Sequence, residues 1–119
     1  MAEAKRTDVL DTCVAQAQTL ADLVDYADQA IVSKRIIDKP TGTVTLFAFD
    51  AGQRLSTHQA PYDALVQVVE GAAHVTIDER PMNVCAGQVV LMPANVPHAV
   101  AAEQRFKMLL TMIREGARS

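Results

Sequence analysis

The sequence has no tryptophan, and aromatic residues make up only 4% of its 119 positions, so a core must be built from Val, Leu, Ile, Met and Ala. Positive charge is sparse and scattered. Eleven Lys and Arg stand against fourteen Asp and Glu, a formal net charge of −3, and no basic run suited to tracking phosphates occurs. That argues against a nucleic-acid partner. No window approaches the roughly 18 uninterrupted apolar residues of a membrane span, and charged Met1 to Asp8 is not followed by the apolar stretch of a secretory signal. A cytoplasmic protein without a membrane partner is expected. Two cysteines, Cys13 and Cys85, fall in different kinds of segment, and two free thiols suit a reducing compartment better than a disulfide.

Against these absences, half of the residues are apolar and 21% are charged, the balance of a packed globule. The length suits one domain with one core. From Val9 the apolar residues Leu10, Cys13, Val14, Ala17, Leu20, Leu23, Val24 and Ala27 recur every three or four positions, one face of a helix. Thr7, Asp8 and Asp11 suit its start, and Thr19 to Asp22 repeats a weaker capping pattern, so a break near Gln18 and a second short helix through Tyr26 are expected. Residues 1–30 thus read as an N-terminal helical segment and residues 31–119 as an all-β unit.

The β reading rests on short β-rich runs at Ile31 to Ile37, Thr43 to Phe49, Leu65 to Val69, Ala73 to Ile77, Gln88 to Met92, His98 to Ala101 and Phe106 to Ile113. Turn-formers separate them, among them Asp38 to Gly42, Asp50 to Gly52, Glu70-Gly71, Asp78 to Pro81 and Ala86-Gly87. Such spacing predicts a sandwich or barrel. Leu65 to Val69 and Phe106 to Ile113 are apolar on both faces, so the outer face of part of the sheet needs a cover. The helical segment can supply one, and so can a second subunit in a homodimer, with Ile31 to Ile37 the strand best placed to reach across.

Two stretches carry the candidate chemistry. Gly52 to His58 is a glycine, five residues and a histidine, with Gly71 closing a later strand; Gly87 to His98 is a glycine, five residues, Pro93, a turn and a histidine. Together they resemble the two conserved-barrel motifs of the cupin superfamily, over roughly Thr43 to Arg114. The resemblance is to small single-domain bacterial-type cupins and implies a cupin-type β-barrel or jelly roll. In the family, a His-x-His pair and a glutamate in the first motif and a histidine in the second hold a divalent transition metal such as zinc, iron, manganese or nickel. Here His58 and His98 stand at two of those four positions, while the second histidine position is Ala60 and the glutamate position is Ala64. The turn glycine is Asn95, a residue that also tolerates positive φ, and the closing asparagine is Ala102.

An incomplete ligand set leaves two readings of the site. Catalytic metal centres normally take three protein ligands, so His58 and His98 either face each other in a metal-free polar pocket or hold an ion whose shell is completed by water, a ligand, or one of Gln59, Tyr62 and Asp63. Ala60, Ala64, Val66 and Val68 share a face with the lost ligands, as Val100 and Ala102 do with His98, which predicts an apolar pocket for a small-molecule ligand lined by His58, Ala60, Ala64, Val66, His98 and Met108. Alternatively Phe47, Phe49, Met92, Met108 and Met112 fill that space and no pocket remains. His74 reads as solvent-facing. The resemblance equally allows an enzyme of isomerase, dioxygenase or decarboxylase type on a small metabolite, with no catalytic residue assigned beyond imidazoles suited to proton transfer.

Overall fold

Turn chemistry divides the chain after Gln29 into nine strands among the described residues: β1 Ile31–Lys39, β2 Gly42–Phe49, β3 Arg54–His58, β4 Asp63–Glu70, β5 Ala72–Ile77, β6 Arg80–Cys85, β7 Val89–Met92, β8 His98–Ala101 and β9 Phe106–Ile113. The structure is a computed structural model that describes residues 11–114. All strand pairs are antiparallel and form two sheets, a five-stranded one in the order β1-β2-β9-β4-β7 and a four-stranded one in the order β3-β8-β5-β6. The inward faces close on a core in which Phe49 and Phe106 stack with ring centroids 4.5 Å apart, joined by Val66, Val75, Val100 and Met108. No helix among the described residues is long and apolar enough to cross a membrane.

The N-terminal segment departs from its sequence reading. Between residues 11 and 30 only two 3-10 turns form, Asp11–Cys13 and Leu20–Leu23; Thr7, Asp8, Val9 and Leu10 lie outside the described residues. Ala15 at φ 57° breaks the helical path, Thr19 and Val24 are extended, and so few residues per turn cannot repay helix nucleation. The apolar stripe packs nonetheless. Leu20, Leu23, Val24 and Tyr26 lie as a strap on the outer face of the five-stranded sheet against Val32, Leu46, Ala48, Val69 and Leu109, whereas Val14 is left exposed.

Polar contacts pin this strap. Lys107 donates to the Ala21 carbonyl at 2.6 Å, the Tyr26 hydroxyl donates to Glu70 at 2.5 Å, and Arg105 and Lys107 both lie 5.0 Å from the Tyr26 ring. Asp50, where β2 ends, accepts from Arg105 Nε and from the Gln29 amide, both at 2.7 Å, and these two donors hold its carboxyl below the usual range.

Candidate functional site

The two histidines meet because of one irregularity. Leu55 pairs with Val100 and His58 with His98, so three steps along β3 match two along β8. Strict alternation would turn His58 outward from a strand that points Leu55 inward. The bulge resets the face, as bulges beside binding sites often do, and brings the rings of His58 and His98 to a centroid distance of 4.5 Å, edge to face. His98 is placed by the tight turn before β8. There Asn95 takes φ 64° and donates its amide to the Ala60 carbonyl at 2.7 Å, while Ala94 donates to Asp63 Oδ1 at 2.9 Å. Asn95 therefore does the work of the glycine expected at that position.

Both imidazoles are oriented in the same way. His58 Nδ1 lies 2.8 Å from the Ser56 carbonyl and His98 Nδ1 lies 3.1 Å from the Val96 carbonyl, each two residues back. A carbonyl accepts only, so each Nδ1 carries the proton and each Nε2 keeps its lone pair. His58 is exposed at the mouth and His98 buried at 6% accessibility. Around them Leu55, Ala60, Tyr62, Ala64, Met92, Val100, Met108, Leu110 and Met112 enclose a cavity of about 80 Å³. The three methionines narrow this space without closing it, and Phe47 and Phe49 do not reach it.

Of the residues expected here, His58, Ala60, Ala64, His98 and Met108 line the cavity together. Val66 does not; two positions along β4 from Ala64 it is fully buried among its core neighbours. Leu55 and Leu110 join the lining unforeseen; Leu110 shares the strand parity of Met108, whereas Leu55 shares a face with His58 only through the bulge. His74 faces outward on β5, half-buried, with Nδ1 3.1 Å from Asn83 Oδ1.

The donor set falls short of a metal centre. Two Nε2 atoms are available, but Asp63 is engaged by the Ala94 amide, Gln59 is exposed, and no group of three or more His, Cys, Asp or Glu converges among the described residues. Tyr62 lines the cavity with its ring 5.4 Å from the Arg114 guanidinium.

His98 is held below the ordinary histidine range, first because burial penalises its charged form and then because the neighbouring His58 repels a second positive charge; the Val96 carbonyl opposes both. The folded protein then binds fewer protons than the unfolded chain once pH drops under about 6.5. His98 thus contributes stability that is present above the unfolded value and lost as pH falls through the folded one. Urea midpoints are expected to rise between about pH 5 and about pH 7, and His98→Gln to flatten that rise. Asp50, depressed from its carboxylate value, acts in a separate window below about pH 4, so an unchanged slope in His98→Gln would assign the effect elsewhere.

Known proteins share this fold. The family model for the cupin domain matches residues 45–113. A conserved Streptococcus pyogenes protein of unknown function is 33% identical over 87% of this chain and 90% of its own, with a TM-score of 0.83. A cupin 2 conserved barrel domain protein from Leptotrichia buccalis is 42% identical over 79% of this chain, which spans 46% of that protein, with a TM-score of 0.77. A salicylate 1,2-dioxygenase from Pseudaminobacter salicylatoxidans, 21% identical over 73% of this chain and 27% of its own at a TM-score of 0.65, shares the fold. No curated protein sequence matches the chain. With the family model spanning more than half of its length, the chain belongs to the cupin family.

Proposed function

We propose that this cupin binds a compact small molecule in its barrel, with an apolar body against the methionines and alanines and a hydrogen-bond donor on His58 and His98. The observation that carries this reading is the pair of Nε2 lone pairs beside a cavity of about 80 Å³ with an otherwise apolar wall. A cavity of about 150 Å³ accepts benzene, so the occupant here is about half that size, of the order of a two-carbon alcohol. Ethanol is the probe. Saturable shifts of the His58 and His98 ring nitrogens, lost in His98→Phe, are the expected result; shifts absent in the wild type, or kept in the variant, would refute it.

The second reading is a cupin enzyme, metal-dependent or using the imidazoles for proton transfer, and the same two free Nε2 atoms favour it. It requires a third ligand from outside the pair for any tightly held divalent ion. The two free thiols, Cys13 and Cys85, support a reducing, cytoplasmic setting.

We also propose a homodimer through the outer face of the five-stranded sheet. Beyond the edge of the strap this face presents Val89, Leu91 and Ile113 at 55%, 51% and 66% accessibility, apolar side chains that a second copy of the sheet would cover. Leu91→Glu with Ile113→Glu should reduce the mass in light scattering from twice 12.9 kDa to 12.9 kDa. A wild-type monomer at micromolar concentration would contradict the dimer.

A further inference from the structure

The smaller sheet has an outer face unlike that of the larger one. Across three strands the register sets Arg54 opposite Ala101 and Ala101 opposite His74, with Asn83 beyond on β6. One row further, Ala99 faces Thr76 on one side and, because of the β3 bulge, both Ser56 and Thr57 on the other. Alternation turns these side chains away from the core, and the bulge adds Thr57 to the same face as Ser56. The central strand therefore contributes only methyl groups, and its neighbours contribute a guanidinium, an imidazole and three hydroxyls. The result is a trough of about 360 Å³ with no carboxylate in its lining. At about 4.8 Å between strands its walls stand about 10 Å apart, within reach of an arginine side chain.

Its donors are uncommitted. Arg54, Ser56, Thr57 and Thr76 have no side-chain hydrogen bond or ion pair among the described residues. His74 donates Nδ1–H to Asn83 Oδ1, which fixes its ring; Nε2 then accepts the hydroxyl proton of a hydrogenphosphate and donates only as an imidazolium. An unpaired guanidinium with hydroxyls beside it supplies the donors for a planar or tetrahedral oxyanion, and the imidazole across the methyl floor closes the far wall.

We propose that this trough is a second ligand site, distinct from the barrel cavity, which takes the carboxylate or phosphate group of a small molecule between Arg54 and His74. The same bulge serves both sites, turning His58 inward and two hydroxyls outward.

Inorganic phosphate and succinate are the probes, titrated separately at constant ionic strength against the histidine ring resonances of the intact protein. Saturable movement of the His74 signals is expected, with His58 and His98 unmoved; a response to phosphate alone assigns a phosphoryl group, and to succinate alone a carboxylate. Arg54→Ala should weaken binding about tenfold, the loss of one charge-assisted hydrogen bond, and Arg54→Lys less. Arg54 is exposed, so both variants should unfold at the wild-type temperature, and His74→Gln supplies a second variant, read from backbone amide shifts. The proposal is overturned by no saturation with either probe, by equal shifts with chloride, or by Arg54→Ala binding as the wild type does.

Discussion

Gly71→Ala is expected to destabilise the domain by roughly 3 kcal/mol, a large part of the 5–15 kcal/mol that holds a typical domain together. Gly71 takes φ +76° between β4 and β5, and a Cβ there would lie 2.5 Å from the Arg105 carbonyl oxygen and 3.0 Å from Phe106 Cβ. The left-handed conformation alone costs an alanine about 1–2 kcal/mol. The rest comes from the clash, since the partner is backbone beside the start of β9 and cannot swing away as a flexible side chain would. Phe106, stacked on Phe49 in the core, would shift with it. Gly52, by contrast, has φ +86° with nothing within 4 Å of an added methyl group, so Gly52→Ala should show the conformational cost without the clash. Urea unfolding of the two variants separates the contributions; equal losses would mean that the close approach at Gly71 has no energetic weight.

The second large effect is a gain. Ala60→His together with Ala64→Glu should raise affinity for a divalent transition metal by at least about a hundredfold, since it takes the donor set from two nitrogens to four ligands. Both alanines already line the cavity that holds His58 and His98, so the added groups would enter the same space. Ala64 is 4% exposed, and a glutamate there without metal is a buried charge. The metal-free double variant should therefore be less stable than the wild type and recover on adding zinc. Calorimetric titration with zinc checks the affinity, and thermal unfolding with and without metal checks the coupling. Affinity unchanged from the wild type would mean that the four positions do not converge.

How much of the fold and site is legible in the sequence follows the physics of each element. Strands with strong apolar content, β2, β4, β8 and β9, are legible because burial dominates their composition. The two missed strands, β3 and β6, are the edges of the smaller sheet. Edge strands with a wet outer face need little apolar character: β3 has only Leu55 turned to the core, and β6 carries Pro81, which is tolerated where no outer neighbour needs its amide. The turn between β5 and β6 uses Asp78 and Glu79 at φ 51° and 68°, a two-residue hairpin without the usual glycine. The N-terminal stripe records burial rather than helix; its second half does pack on the sheet, but through a single 3-10 turn. At the site, the motif spacing locates His58 and His98, whereas the bulge that turns His58 inward leaves no mark in composition. The Nδ1 contacts to Ser56 and Val96 are equally invisible, since a backbone carbonyl carries no residue identity.

We propose that this barrel presents only two imidazoles, His58 and His98, where the family resemblance implies four metal ligands. Elemental analysis of wild-type protein purified without added metal, then dialysed against a chelator, tests that claim most directly. Well under one equivalent of zinc, iron, manganese or nickel per chain is the predicted result, with His58→Ala leaving that value unchanged. A full equivalent that survives dialysis and disappears in His58→Ala would contradict it, and would place a third ligand beside His58 and His98.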